Sequence, residues 1–362
     1  MNIKSLTLRD FRNYEDLEIE FDRNTNILFG NNGQGKTNIL EAVYLAATTT
    51  SHRGSKDREM IRFGCDESHI RAVIEKDSRE HEIDIHLKKN KTKGIAVDKV
   101  PVKKASDMYG TLKVVVFSPE DLSIIKNGPA ERRRFLNTEL CQLDRIYLHR
   151  LGMYNKVLEQ RTQLLKDLYN NPDLENTLEI WDEQLVNYGS QIIESREEFV
   201  EKLNEITKPI HSDITAGKES LEIIYEKSVS KDDFARTLKE NRERDKRFCQ
   251  THAGPHRDDL CVKSMGTDMR KYGSQGQQRT SALSLKLAEI ELIKIQTSEE
   301  PVLLLDDVLS ELDSQRQELL LKYINNIQTL ITCTGMDDFV KNRVPVDRIY
   351  EVTEGRIKRV TG

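Results

Sequence analysis

Gly30-Asn31-Asn32-Gly33-Gln34-Gly35-Lys36-Thr37 has the residue types and the spacing to hold a triphosphate. Its glycines let backbone N–H groups approach phosphate oxygens, the Lys36 ammonium neutralises the β and γ oxygens, and the Thr37 hydroxyl is a ligand for Mg²⁺. Farther along, the apolar run Val302 to Leu305 ends in Asp306 and Asp307. Such a strand delivers one carboxylate, Asp306, to the metal and a second, Asp307, to an attacking water. The two elements together predict an ATP site with Mg²⁺, in which Lys36 and Asp307 are the catalytic groups. A third element, Tyr272 to Gln278, opens a long helix, where Ser274, Gly276 and Gln277 offer a hydroxyl and free N–H groups to an anion. The first loop already holds the phosphates, so two phosphate-binding helix ends in one chain point to two chains sharing one nucleotide.

These residues need a strand before the loop and a helix after it. Asn26 to Phe29 is a short apolar run, and from Asn38 the period becomes helical, with Ile39, Leu40, Val43 and Ala47 on one face. Period-two stretches around Leu6 and Leu8, at Leu17 to Phe21, at Ile70 to Glu75 and at His81 to Leu87 predict half-buried antiparallel strands. The last of these, the Lys-rich KKNKTKG and Ile95 to Val97 read as a hairpin with a basic tip. Val114 to Phe117, PVLLLDD and Leu330 to Cys333 have the continuous apolar character of strands buried on both faces. In between, Leu178, Trp181, Leu185, Tyr188, Ile192 and Phe199 step by three and four, the seam of a helix packing on its neighbour. A loop, HSDITAGKES, then leads to a strand at Leu221 to Tyr225 and a charged helix over KDDFARTLKENRERDKR. After a strand at Asp259 to Lys263, a helix over Gln275 to Gln296 turns Leu285, Ala288, Leu292 and Ile295 to one side. The predicted fold is α/β: a P-loop ATPase head with a mixed sheet, built from residues 1–115 and 285–362, plus a mainly helical second lobe with a short arm over 116–284.

A net charge of −5 over 362 residues means that any nucleic-acid role rests on local basic patches. Lys88, Lys89, Lys91 and Lys93 at the hairpin tip, and Arg132, Arg133 and Arg134 ahead of the arm, are the candidates for DNA phosphates. No aromatic residue interleaves with them, so backbone contact without base stacking or sequence preference is expected. Five scattered cysteines predict reduced thiols. Cys249, His252, His256 and Cys261 have spacings open to zinc, but they lack a tight Cys pair, and the GPHRDD between them suggests another use, bracing the surface that meets the second copy. An N-terminus without an apolar core region and the lack of a bilayer-length apolar run predict a cytoplasmic protein with no membrane contact.

The order of these motifs resembles the ABC-type ATPases that act on DNA, the SMC-like group. It has the P-loop at Gly30, the signature at Ser274 to Gln278, the acidic strand at Leu303 to Asp307 and a D-loop-like Ser310-Glu311-Leu312-Asp313. Within that group LRDFRNY at Leu8, FSPEDL at Phe117, RRRFLN at Arg132, GPHRDD at Gly254 and LLLDDVLSELD at Leu303 are similar to the RecF family. The resemblance implies an ATP-dependent homodimer that closes on gapped or double-stranded DNA in repair and fork recovery, with a RecR-like partner. In it Ser274, Gly276 and Gln277 cap the nucleotide of the other subunit, and Arg12, His52 and Arg53 fall near base and sugar. Two other readings share some of the motifs: an ABC transporter subunit, which needs no long helical insertion, and a small-molecule P-loop kinase, which has no use for the signature.

Three residues depart from the wider ABC pattern. Gln275 stands where a glycine is usual, Asp307 is one methylene shorter than the usual glutamate, and Thr332 or Thr334 occupies the place of the switch histidine. The last two weaken the base and one γ-phosphate contact. Steady-state phosphate release is therefore expected below about 1 s⁻¹, the lower end of ordinary turnover, and a faster rate would reject a slow switch.

Overall fold

Alternation of apolar and polar residues produces the strands it predicts. The computed structural model describes residues 1–102, 107–335 and 346–361. The chain opens with β1 (Asn2–Phe11), β2 (Tyr14–Glu20), β3 (Thr25–Phe29), α1 (Lys36–Thr48) and the short α2 (Asp57–Met60). There follow β4 (Glu67–Lys76), β5 (Arg79–Lys88), β6 (Gly94–Val97), β7 (Val100–Pro101) and β8 (Val114–Phe117). An antiparallel sheet forms in the order β2-β1-β4-β5-β6-β7. In β4 every second residue, Ser68, Ile70, Ala72 and Ile74, is buried, which fixes the register because a one-residue slip would turn this face to water.

A helical stretch follows: α3 (Leu122–Lys126), α4 (Pro129–Leu143), α5 (Arg145–Asp167) and α6 (Leu178–Ile214). Then come β9 (Leu221–Glu226), α7 (Phe234–Glu240), α8 (Arg242–Phe248), β10 (Asp259–Ser264), β11 (Thr267–Asp268), α9 (Met269–Tyr272) and α10 (Gln275–Thr297). Three expectations need correcting here. Helix α6 continues through Pro209 to Ile214, so the first four residues of the expected HSDITAGKES loop are helical. The single charged helix is two short ones, α7 and α8. Ile295 in α10 faces solvent at 68% exposure.

The remaining strands complete a second sheet. They are β12 (Val302–Asp306), β13 (Thr329–Cys333), β14 (Arg348–Thr353) and β15 (Arg356–Thr361), with α11 (Ser314–Ile324) between β12 and β13. The order is β15-β14-β3-β13-β12-β8, parallel throughout except for the β14–β15 hairpin. Strand β13 thus separates β3 from β12, with Thr332 opposite Leu28 on one side and Asp306 on the other. By compactness the chain divides into a sheet-rich unit, Met1–Asp121 with Lys286–Gly362, and a helical unit, Leu122–Leu285.

Within the helical unit α5 and α6 pack along each other. The inward stripe of α6 includes Leu178, Leu185, Ile192 and Phe199, as the spacing predicts, but Trp181 and Tyr188 are only half buried. Asp182, Gly189 and Arg196 join the stripe instead. Gly189 is there because a Cβ would lie 2.4 Å from the Phe234 ring. Arg196 donates to Asp258 at 3.0 Å, to the Pro255 carbonyl at 2.6 Å and to Asn137 at 2.9 Å. Asp258, wholly buried, also accepts from the Tyr225 hydroxyl and from the Ser228 N–H. GPHRDD therefore braces the helical unit. His256 in the same segment sits between Tyr154 and the Thr251 carbonyl, and burial pushes it down to about 4. Removing one partner of a buried ion pair costs about 3–5 kcal/mol because the other charge stays behind. Asp258→Ala is expected to destabilise the helical unit by that amount in a urea titration, and Asp258→Asn, which keeps an acceptor for Arg196, by less.

Candidate functional site

The loop after β3 can be occupied only by this glycine pattern. Gly30 has φ 152°, and a Cβ there would lie 2.3 Å from the Val352 carbonyl oxygen of β14. At Gly35, with φ 114°, a Cβ would lie 2.6–2.8 Å from Asn13 and the Tyr14 hydroxyl. Asn31, Asn32 and Gly33 form the exposed rim. No side chain caps α1, so its first N–H groups point toward the loop as an anion cradle. The Lys36 ammonium, on a largely buried side chain, is held at the carbonyls of Gly30 (2.7 Å) and Asn31 (3.0 Å).

At the mouth of the loop the start of α1 and strand β13 converge on one carboxylate at the end of β12. Thr37 and Thr332 both donate to Asp306 Oδ1, each at 2.8 Å. The Thr332 hydroxyl in turn accepts from the Asp307 N–H at 2.9 Å, and Asp307 takes a left-handed φ of 52°. A hydroxyl and a carboxylate in contact are the hard oxygen donors that suit Mg²⁺.

Sequence reading missed what holds the loop in place. Asn13, in the β1–β2 turn, donates to the Gln34 carbonyl at 2.9 Å and accepts from Asn38, while Tyr14 donates to the Gly35 carbonyl. From the other side the β14–β15 turn donates its Glu354 and Gly355 N–H groups to Gln34. The period-two pattern around Glu354-Gly355 was the available signal for that hairpin. Thr334, Gly335 and Glu351 to Glu354 line, with Gly30, Asn31 and Gln34, a cavity of about 420 Å³. Arg12, expected with His52 and Arg53 near base and sugar, makes a bidentate pair with buried Glu41 at 2.7–2.8 Å. His52 lies edge-on to Tyr44, and Arg53 is exposed.

In the helical unit the start of α10 is a reciprocal cap. Gln277 N–H donates to the Ser274 hydroxyl at 3.2 Å, and Ser274 N–H donates to Gln277 Oε1 at 3.1 Å. Ser274, Gln275 and Gly276 are exposed.

The basic residues separate into two groups. Lys88 ends β5, and Lys89, Lys91 and Lys93 follow it at a hairpin tip. Lys88 lies 3.3 Å from Glu67, Lys89 lies 3.4 Å from Asp66, and Lys93 reaches Asp57 and the Thr49 carbonyl. Arg132 was expected to face DNA, and the structure overturns this. It is 2% exposed and bidentate on Asp259 at 2.6 and 2.9 Å, so its charge serves the interior. Arg133 is half buried and donates to the Asp258 carbonyl, whereas Arg134 is exposed.

The family model described as RecF/RecN/SMC N terminal domain matches residues 2–358. The DNA replication and repair protein RecF of Agathobacter rectalis is 59% identical over 358 residues, covering 99% of both chains. The chain belongs to the RecF family. A second RecF, from Lachnoclostridium phytofermentans, is 56% identical and covers 99% of this chain and 100% of its own. A solved structure of the recombination mediator protein RecF-ATP superposes with a TM-score of 0.93 at 36% identity, covering 99% of this chain and 97% of the other. An Smc head domain from Pyrococcus furiosus, at 15% identity and TM-score 0.56, shares the fold. The mixed α/β head with a helical lobe is thus the RecF architecture, and among the described residues no helix is long and apolar enough to cross a membrane.

Burial pushes the Asp306 carboxyl above the usual range, against the two threonine hydrogen bonds that pull it down, and the nearby Asp307 and Glu120 push it up further. A carboxyl raised in the folded state loses stability as pH climbs from the ordinary carboxylate range through its folded value, and the full cost is present above that window. Asp306→Asn keeps an acceptor for both threonines and removes the charge. It is expected to melt higher than the parent protein at neutral pH, with the gain shrinking on acidification, and a gain independent of pH would contradict this origin.

Proposed function

We propose that this RecF-family chain binds ATP with Mg²⁺ at Gly30–Thr37 and that binding is the event that pairs two copies. The observation that carries the reading is the contact of Thr37 and Asp306 at the mouth of the glycine loop. Mg²⁺ supplies charge neutralisation across the β and γ phosphates when bound. Lys36 exchanges its carbonyl partners for phosphate oxygens, Thr37 and Asp306 hold the ion, and Asp307 orients the attacking water. Thr332 is engaged with Asp306, so the hydroxyl left to meet the γ-phosphate is that of Thr334, which lines the same cavity as Gly30 and Asn31. Ser274, Gly276 and Gln277 of one copy close the site of the other. Hydrolysis is slow and acts as a timer. The closed dimer holds double-stranded or gapped DNA without sequence preference, in the cytoplasm, and works with a RecR-like partner in repair and fork recovery. The RecF names of its relatives and the ATP-bound relative support this reading.

A complementation experiment separates a shared site from a site complete in one chain. Lys36→Met removes the phosphate cation and Ser274→Arg blocks the cap, so each variant alone is expected to remain monomeric with ATP by light scattering. Mixed together they rebuild one intact composite site, and a dimer reappears. Dimers formed by Ser274→Arg alone would reject the shared site.

A further inference from the structure

Phe63 is wholly exposed, at 101% of its reference surface. It stands on a tight turn closed by donation from the Cys65 N–H to the Arg62 carbonyl at 3.0 Å, with Gly64 at φ 88°. The turn is pinned: Arg62 pairs with Asp10 at 2.7 Å, and its N–H donates to the Asp10 carbonyl at 2.8 Å. The ring is therefore held out by fixed backbone, although burial is the favoured state for a side chain of this size.

Its surroundings mix both charges: Arg62 beside it pairs with Asp10 and lies 3.6 Å from Glu15, and lysines stand a few residues farther on. Asp66 and Glu67, next along the chain, pair with Lys89 and Lys88, which brings the turn beside the tip of the β5–β6 hairpin. Phe63 is at most about 11 Å of extended chain from Asp66. Residues 53–67 and 88–93 together carry eight Lys and Arg against four Asp and Glu, on a chain with net charge −5. The ion pairs at Lys88 and Lys89 join partly exposed side chains at 3.3–3.4 Å. Pairs of this kind are weak and exchange readily for phosphate.

We propose that Phe63 and the lysines beside it form a binding site for DNA with unpaired bases, in which the lysines take phosphates and one unpaired base stacks on the Phe63 ring. The proposal rests on the DNA reading above and names the feature recognised. Bases inside a duplex have both faces covered by neighbours. A base at the edge of a gap, or in single-stranded DNA, offers a free face to an aromatic ring whatever its identity. The ring thus adds a preference for unpaired bases to a phosphate contact that has none.

The test uses the full chain with ATP and Mg²⁺, a labelled duplex carrying a single-stranded gap, and a fully paired duplex of equal length. Phe63→Ala is expected to weaken gapped-DNA binding about tenfold, to leave duplex binding within about twofold, and to leave both salt slopes unchanged because no phosphate contact is lost. Phe63→Trp is expected to retain the preference. Fluorescence of 2-aminopurine in the gap is expected to be quenched by the parent protein and not by Phe63→Ala. Equal losses on both DNAs, or none on either, overturn the stacking site. A parent protein that binds neither DNA overturns instead the DNA reading on which the proposal stands.

Discussion

Asp306 is the fixed point of the sheet-rich unit. Its carboxylate is reached by Thr37 from the start of α1 and by Thr332 from β13, and both hydroxyls meet the same oxygen. That meeting depends on the order of the sheet, because β13 must lie between β3 and β12 with Thr332 level with Asp306. A shift of one residue in β13 would turn the Thr332 side chain to the opposite face. The continuous apolar cores of β3, β12 and β13 hold the register by burying both faces, so the local chemistry rests on a long-range packing constraint. The cost is an ionised group kept from water, offset in part by the two hydroxyl donors.

The loop that faces this carboxylate is fixed from outside as well. Asn13 and Glu354 lie at opposite ends of the chain, yet both bind Gln34, one through its carbonyl and the other through its side chain. Glycines at 30 and 35 let these turns approach closer than any Cβ allows. The same glycines that suit a phosphate cradle thus also admit the clamps that hold it. Preorganisation of this kind lowers the ordering cost of binding.

Much of this frame was legible in the sequence, and the reasons are physical. Short apolar runs ending in glycine or in two acids are local signals, and β3, β8, β12 and β13 fall where those signals place them. What stayed hidden depends on pairings between distant segments. Arg132 looks like a surface cation among RRRFLN, but its partner, Asp259, lies 127 residues away. Asp182 and Arg196 occupy polar slots in an apolar seam because they bind Arg161 and Asp258, which no periodicity announces. Phe63, likewise, joins the lysines only through the pairing of β4 with β5. Helix α6 also runs through Pro209, where packing tolerates the loss of one backbone donor.

The two helix ends that resemble each other in sequence differ in what they have left to give. At α1 no side chain competes for the first N–H groups, and a lysine stands within the loop, so an incoming anion meets both the helix dipole and a full positive charge. At α10 the Gln277 N–H is already bonded to the Ser274 hydroxyl and the Ser274 N–H to Gln277. What remains is the pair of exposed residues Gln275 and Gly276 and the unused capacity of one hydroxyl. An anion at α10 therefore gains less than one at α1 and must break or share the cap to gain more. The ordering follows from hydrogen-bond accounting alone. The first end has its N–H groups open to an anion, whereas the second has its own occupied by the Ser274–Gln277 cap.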